Sequence, residues 1–231
     1  MIGFYNYTVI LTYLSLISAG CGITVALSGY GHPYIGTFFL LFCGLCDAFD
    51  GKVARTKKNR SQEERSFGVQ IDSLSDVVAF GVLPAAIGTA MLHRSSLMHL
   101  VDGTRWQMPL EIGGAAILIL YILAAMIRLA YFNVTEEARQ RTEDGARKTY
   151  TGLPVTSSSL IFPAILLLQD VIPADVTPVY FATALVCAIA FLSPFRIRKP
   201  GLRGVLILVG IGAVEFLLML ALIRVRKFLI C

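Results

Sequence analysis

Residues 34–92 read YIGTFFLLFCGLCDAFDGKVARTKKNRSQEERSFGVQIDSLSDVVAFGVLPAAIGTAML. Two apolar runs flank a polar and basic centre, and each run is long enough for a helix of about 20 residues, which is what the hydrocarbon core of a bilayer requires. Four aspartates, Asp47, Asp50, Asp72 and Asp76, lie where the runs meet the polar centre. The stretch therefore predicts a helical hairpin in a membrane, with carboxylates gathered at one end.

The rest of the chain has the same apolar character. Of its 231 residues, 56% are hydrophobic and 15% are charged, and the mean hydropathy is +0.71. One soluble core cannot bury that much apolar surface, so the expected solvent is lipid. We predict an all-α, polytopic membrane helix bundle, with a six-span core within 1–203 and an additional C-terminal membrane segment within 204–231. The seven predicted spans are 8–30, 34–54, 72–92, 110–132, 155–169, 176–193 and 204–224.

The distribution of Lys and Arg predicts how the bundle is oriented. The formal charge is +5, and the basic residues collect in the predicted loops within 55–65, 133–152 and 196–203. Loops rich in Lys and Arg usually face the cytoplasm, so the aspartates should lie at the cytoplasmic face. This placement suits an anionic membrane surface, and we expect no nucleic-acid partner. The basic residues within 224–227 conflict with the rule if the seventh segment spans fully.

Four carboxylates in membrane helices need an explanation, because each costs about 2.5 to 3.5 kcal/mol at mid-bilayer. Asp47 and Asp50 are three residues apart, so they share one helix face. Asp72 and Asp76, four apart, share another. Where two such faces meet, the charges require a counter-ion, and an all-oxygen ligand set favours Mg²⁺, Mn²⁺ or Ca²⁺. Two ions about 3.5 to 4 Å apart could hold a pyrophosphate and leave one carboxylate as a general base.

The residues beside the aspartates suit an anionic ligand. Gly51 and Ala54 remove side-chain bulk next to Asp50, and Arg55 offers a planar fork for a phosphate. Helix packing explains the two small residues equally well, and a membrane-surface anchor explains the arginine. For the aspartates the alternative is a cation or proton pathway, as in transporters, although such pathways usually place carboxylates near mid-membrane on broken helices.

The sequence at 47–55 is DAFDGKVAR, and after twelve further residues the sequence at 68–76 is GVQIDSLSD. This pattern resembles the signature of the CDP-alcohol phosphatidyltransferases, DxxDGxxAR followed by a spacer and GxxxDxxxD. The spacer is longer than is usual in that family, so we expect a longer cytoplasmic loop with unaltered metal geometry. Further segments resemble the phosphatidylserine synthases of that family, and they are 67–76, 80–84, 128–133, 152–155 and 195–200.

The resemblance implies a metal-dependent enzyme that transfers the phosphatidyl group of CDP-diacylglycerol to L-serine and releases CMP. Asp47, Asp50 and Asp72 would hold Mg²⁺ or Mn²⁺. Asp76 would contact a second ion and act as the general base. The residues expected to contact the nucleotide and its phosphates are Thr12, Ser15, Gly51, Ala54, Arg55 and Gly68. Those expected to contact serine are Gln70, Arg128 and Asn133.

The resemblance also implies a homodimer, and we expect it in the cell membrane of a prokaryote, with 1–203 as the family's membrane domain. The acceptor stays open at this point, because glycerol 3-phosphate, inositol phosphate or an aminoalcohol would use the same aspartates. The donor stays open too, because an archaeal-type lipid donor would also use them. A phosphorylated acceptor should need two or more cationic side chains, whereas serine needs one and a polar partner. A transporter, by contrast, would move metal without releasing CMP.

Overall fold

The computed structural model describes residues 3–28, 32–142, 149–172 and 174–230, with the backbone alone at 140–142, 170 and 223–230. Its helices are α1 (Ile10–Leu27), α2 (Pro33–Thr56), α3 (Gln62–Asp76), α4 (Leu83–His93), α5 (Ser96–Val101), α6 (Gln107–Thr142), α7 (Ser158–Val171), α8 (Thr177–Leu192) and α9 (Leu202–Ile230). A π-helical segment, Val77–Val82, joins α3 to α4, and 3₁₀ turns at Tyr7–Val9 and Val155–Ser157 precede α1 and α7. The strands are β1 (Thr149–Thr151) and β2 (Arg196–Arg198).

These helices confirm the all-α, polytopic bundle. Among the described residues, five helices are long and apolar enough to cross a bilayer, and they are Tyr7–Leu27, Pro33–Thr56, Gln62–His93, Gln107–Arg139 and Leu202–Leu222. Shorter apolar helices, Val155–Gln169 and Thr177–Leu192, come before the last of them. Together they correspond to the seven predicted segments, and the chain is an integral membrane protein.

The helix that contains the third predicted span begins well before residue 72, where the sequence predicted the span to start. α3 starts at Gln62, where Ser61 and Glu64 form a capping box: the Ser61 hydroxyl accepts a hydrogen bond from the Glu64 N–H, and the Glu64 carboxylate accepts one from the Ser61 N–H. Asp72 and Asp76 therefore lie inside a long helix. Hydropathy does not detect its first turns, because they are polar and stable in water.

The fourth membrane helix is also longer than predicted. α6 continues to Thr142, although the predicted span ends at residue 132 and a loop is expected from there. An ion pair between Glu136 and Arg139, with an N–O distance of 2.7 Å, lies on this polar extension and stabilises its turns. Asn133 therefore belongs to a helix. The basic residues at 147–148, which were part of the expected loop, lie outside the described residues.

Two buried tyrosines hold the irregular part of the third membrane helix. Pro84 has no N–H to donate to the preceding turn, and the Tyr121 hydroxyl of α6 donates instead to the Phe80 carbonyl at 2.6 Å. The Tyr180 hydroxyl of α8 donates to the Pro84 carbonyl at 2.6 Å. An unpaired carbonyl in lipid is costly. These bonds therefore fix the π-helical segment, and Asp76 just before it, against the bundle.

The sequence does not predict an antiparallel ribbon that packs against α6 at Phe132, where the Phe132 and Tyr150 rings lie 5.9 Å apart. β1 pairs with β2, with Tyr150 opposite Ile197. Next to the ribbon, Gly152 has φ +72°, and its N–H donates to the Phe195 carbonyl at 2.7 Å. A Cβ at Gly152 would lie 2.8 Å from the Phe191 carbonyl oxygen. Glycine is therefore required both by the backbone conformation and by the close approach of α8.

At the other end of the bundle, one carboxylate caps two helices. Asp175 accepts hydrogen bonds from the Thr177 N–H at 2.9 Å, and from the Ser96 N–H and hydroxyl at 2.8 and 2.9 Å. It therefore joins the N-termini of α8 and α5. Burial raises the pKa of the Asp175 carboxyl, but the hydrogen bonds from Thr177 and Ser96 outweigh it, so the pKa lies below its ordinary value.

The last helix, α9, packs at the edge of the bundle. The Phe216 ring meets the Phe38 ring of α2 edge-on, with centroids 5.2 Å apart. Gly212 admits Leu160 of α7, whose nearest atom lies 3.2 Å from the position of a glycine Cβ. Glu215, the acidic residue of the predicted seventh span, is 8% exposed. The side chains of the basic residues within 224–227 lie outside the described part of the chain.

Candidate active site

Three of the four aspartates converge between α2 and α3. Carboxylate oxygens of Asp47, Asp50 and Asp72 all lie within 4.8 Å of one another, and the three residues are half-buried. α2 contributes the first two and α3 the third, from helices that a single loop connects. The tertiary structure thus brings together the two helix faces on which the spacing places the carboxylates.

Asp76 stands behind this group. It lies one turn beyond Asp72 on α3, is 8% exposed, and interacts electrostatically with the other three aspartates. The π-helical segment Val77–Val82 follows it directly, and irregular helical turns of this kind are frequent at functional sites. The arrangement is therefore three carboxylates around one point, with a fourth carboxylate deeper in the bundle.

The acidic cluster needs a positive partner. Carboxylate oxygens of Asp50 and Asp72 lie within 4.8 Å of each other, which two carboxyl groups tolerate only if they share a proton or a cation. The Gly51 N–H also donates to an Asp50 oxygen. In the part of the chain that the structure describes, no Lys or Arg forms an ion pair with these carboxylates. Three half-buried groups that offer only oxygen fit a hard divalent cation such as Mg²⁺, Mn²⁺ or Ca²⁺.

The end of the cluster nearest the α2–α3 loop is lined by small residues and a cation. A Cβ at Gly51 would lie 3.6 Å from a guanidinium nitrogen of Arg55, so the arginine folds back over the glycine. Arg55 is exposed, whereas Gly51 and Ala54 are half-buried. An anion that approaches Asp50 from this end would therefore meet backbone and a guanidinium rather than bulky side chains.

α1 contributes two buried polar residues. Thr12 and Ser15 are 5% and 4% exposed, and the Ser75 hydroxyl, next to Asp76 on α3, donates to the Thr12 carbonyl at 3.2 Å. The Ser15 hydroxyl is buried beside the Cys43 thiol and has no other hydrogen-bond partner among the described residues. Buried hydroxyls normally have a partner. A ligand that enters beside α1 could supply it.

The residues expected to contact serine lie on α3 and α6, but the structure does not bring all of them together. Arg128 is 6% exposed, and its Nε donates at 3.2 Å to a carbonyl of the α6–α7 connection, so it lies inside the bundle. The Asn133 side chain donates to the Ser73 hydroxyl at 2.7 Å, beside the acidic cluster. Gln70 is exposed, and two residues before Asp72 it lies on a different face of α3.

Two residues at this site were not singled out from the sequence. Ser73 holds Asn133 in place, and Arg60 donates to the Ala54 and Glu64 carbonyls at 3.5 and 3.1 Å. Arg60 had no distinctive signal, because it is one of several cations in a polar spacer. Its position depends on how α2 and α3 pack, which no local pattern reveals.

The fold and the site define a class of protein: a polytopic membrane protein with a cluster of carboxylates, at one end of its bundle, that could hold a divalent cation. The family model of the CDP-alcohol phosphatidyltransferases matches residues 5–194, and the chain belongs to this family. The resemblance in the sequence is thereby confirmed. The match contains α1 to α8 and all four aspartates, whereas α9 begins after it.

Several curated proteins are similar to this chain. A CDP-diacylglycerol–serine O-phosphatidyltransferase of Saccharomyces cerevisiae is 31% identical over 148 residues, which is 63% of this chain and 45% of that protein. An archaetidylserine synthase of Methanothermobacter thermautotrophicus is 30% identical over 143 residues, 62% of this chain and 51% of that protein. The chain thus spans about half the length of these relatives. No solved structure matches it significantly.

Proposed function

We propose that this chain is an enzyme that transfers the phosphatidyl group of CDP-diacylglycerol to the hydroxyl of L-serine and releases CMP. Membership of the family supports phosphatidyl transfer from a CDP-linked donor. Serine appears in the names of the relatives at 25% to 31% identity, which supports it as the acceptor. The observation that carries the proposal is the group of Asp47, Asp50 and Asp72, with Asp76 behind it.

In this proposal Asp47, Asp50 and Asp72 hold the metal, and Asp76 contacts a second ion. Mg²⁺ and Mn²⁺ suit the oxygen ligands best, and Ca²⁺ also binds such sets. When bound, two divalent ions would neutralise the diphosphate and stabilise the departing CMP. Because the three carboxylates are half-buried rather than enclosed, oxygens of the substrate can complete the coordination.

Asp76 is the proposed general base. The serine oxygen forms a bond to the phosphorus that carries diacylglycerol, the bond from that phosphorus to the CMP oxygen breaks, and the hydroxyl proton passes to the Asp76 carboxylate. Asp76 is 8% exposed and has three other aspartates nearby. A base in such a place takes its proton from the bound alcohol rather than from bulk water.

The nucleotide half of the donor is proposed to lie along α1, α2 and α3, from the acidic cluster toward the α2–α3 loop. Gly51 and Ala54 would leave room for it beside Asp50, Gly68 admits the Arg60 guanidinium at the loop end of the same cleft, and the Arg55 guanidinium would bind a phosphate oxygen. The Ser15 hydroxyl, which is buried with no described partner other than the neighbouring Cys43 thiol, supports a ligand on the α1 side. The residues proposed to contact it are Thr12, Ser15, Gly51, Ala54, Arg55 and Gly68.

Serine is proposed to bind between α3 and α6. Arg128, a cation buried in the bundle, would face the serine carboxylate, and Asn133, held by Ser73, would contact its polar edge. Gln70, which is exposed on α3, would reach the site only from its rim. One buried cation with a polar partner suits a serine zwitterion better than a phosphorylated acceptor, which needs two or more cations.

We further propose that the site faces the cytoplasm of a prokaryotic cell, that the enzyme is a homodimer, and that it has two parts. The basic spacer beside the aspartates supports the orientation. Residues 1–203 would form the catalytic membrane domain, since the family match ends at 194, and residues 204–231 would form an additional membrane segment. Dimer formation is testable by light scattering of the purified protein.

The test is an assay of the purified protein in detergent with CDP-diacylglycerol, labelled serine, and Mn²⁺ or Mg²⁺. We expect labelled phosphatidylserine and one CMP per serine consumed, and no product when the metal is chelated. Glycerol 3-phosphate, inositol phosphate and an aminoalcohol are offered in parallel. Use of one of these in place of serine would refute serine as the acceptor. Metal flux into vesicles without CMP release would refute the proposal that the chain is an enzyme.

A further inference from the structure

Arg60 lies in the spacer between the two halves of the signature, where this chain is longer than is usual in the family. Its guanidinium donates to the Ala54 carbonyl at 3.5 Å and to the Glu64 carbonyl at 3.1 Å. The first of these lies in the last turn of α2 and the second in the first turn of α3. Arg60 therefore sits between the two helices that carry the aspartates.

The guanidinium occupies a space that only glycine leaves open. A Cβ at Gly68 would lie 2.6 Å from the Arg60 Nη2, so a side chain there would displace the arginine. The Arg60 Nε is buried and has no hydrogen-bond partner among the described residues, and none of their carboxylates forms an ion pair with Arg60. Buried N–H groups almost always have a partner. A donor on a charged group is thus left for a ligand.

Arg60 lies close to the acidic cluster. Ala54 follows Asp50 by four residues on α2, and Gly68 precedes Asp72 by four residues on α3, so each lies on the same helix face as its aspartate. Four residues of α-helix rise about 6 Å. Arg60 therefore lies about one helical turn from the aspartates, at the loop end of the same cleft.

The two halves of a CDP-linked lipid must leave this cleft in opposite directions. The acyl chains stay in the hydrocarbon, so a nucleotide with its phosphates at the aspartates extends toward the loop. There the planar guanidinium of Arg60 meets a pyrimidine whose ring nitrogen and carbonyl oxygen are hydrogen-bond acceptors. The buried Nε is the donor that lacks such an acceptor.

We propose that Arg60 is a further binding residue for the nucleotide half of the donor, with its Nε donating to the cytidine. The proposal rests on the function proposed above, since it takes the ligand from there. It assigns the longer spacer a role in holding the donor. The bonds from Arg60 to Ala54 and Glu64 also brace the loop, so the experiment must separate binding from bracing.

Binding of CMP to the full-length protein in detergent with Mg²⁺ makes this separation, because it requires neither serine nor turnover. Calorimetry is carried out on the wild type, Arg60→Ala, Arg60→Lys and Arg65→Ala, with the thermal stability of each measured without nucleotide. Arg65 is the matched control, because it is an exposed cation of the same segment. The lysine variant keeps the charge but loses the planar fork.

For Arg60→Ala we expect CMP affinity to fall about tenfold or more, as for the loss of a hydrogen bond from a charged donor. The KM for CDP-diacylglycerol should rise with it, while the KM for serine stays unchanged. Arg60→Lys should recover only part of the affinity, and Arg65→Ala should bind CMP as the wild type does. Equal or tighter CMP binding by Arg60→Ala, even with lowered stability, overturns the role of Arg60. A wild type that binds no CMP overturns the proposed function and this role together.

Discussion

Replacing Asp76 with Asn separates the two roles proposed for this residue, because the amide keeps an oxygen for a metal ion but cannot take the serine proton. General bases contribute typically about 10² to 10⁴ in rate, which corresponds to about 2.7 to 5.4 kcal/mol at 1.36 kcal/mol per tenfold. Asp76 is 8% exposed, so bulk water is a poor substitute base. We therefore expect the upper half of that range, a loss of about 10³ or more in kcat.

The assay measures kcat with labelled serine, CMP affinity by calorimetry, and Mn²⁺ binding by electron paramagnetic resonance on the same preparation. Asp76→Asn should bind CMP and Mn²⁺ nearly as the wild type does. The matched control is Asp50→Asn, which alters the group of three carboxylates, and it should lose metal affinity and regain part of its activity in excess Mn²⁺. Near-normal kcat in Asp76→Asn would refute the general-base role of Asp76. Loss of metal binding in that variant would show that Asp76 acts chiefly as a metal ligand.

Three structural predictions accompany this one. Tyr121→Phe removes the 2.6 Å donor of the Phe80 carbonyl and leaves it the Ser158 hydroxyl at 3.4 Å, so it should lower the free energy of unfolding by about 0.5 to 1.5 kcal/mol, measured by thermal unfolding in detergent. Gly152→Ala has φ +72°, and its Cβ would lie 2.8 Å from a carbonyl oxygen, so it should cost about 1 to 3 kcal/mol in stability, whereas Gly210→Ala, inside α9 with nothing within 4 Å of the new Cβ, should not. Asp175 has a lowered pKa in the folded state, so it stabilises above its unfolded pKa of about 3.9 and this contribution is lost as pH falls through the folded value. In Asp175→Asn the stability should therefore fall less as the pH is lowered than it does in the wild type. An equal fall in both proteins would contradict the role of the Asp175 carboxylate as a helix cap.

Much of the fold follows from local patterns in the chain. Apolar runs of membrane-spanning length predict the helices and their order, because in lipid every backbone polar group must be paired within the helix. The spacing of Asp47 with Asp50, and of Asp72 with Asp76, predicts two acidic helix faces, because a helix repeats every 3.6 residues. Both inferences need only neighbouring residues, which is why they agree with the structure.

Helix ends were predicted less well. α3 begins at Gln62 and α6 continues to Thr142, both beyond the apolar runs. Their extra turns are polar and are stabilised by a capping box at Ser61 and an ion pair at Glu136. Hydropathy measures the preference for lipid and not the preference for helix, so a predicted span ends with the apolar run even where the helix continues through polar residues.

Other features depend on residues that are distant in the chain. The β1–β2 ribbon pairs Thr149 with Arg198, and the buried Arg128 is held by the α6–α7 connection. Arg60 comes to lie against Gly68 only because α2 and α3 pack side by side. The types and spacing of the aspartates are written in the chain, but their approach to within 4.8 Å, and the cation placed at the end of their cleft, result from helix packing. Side chains from different helices meet only when the bundle has formed.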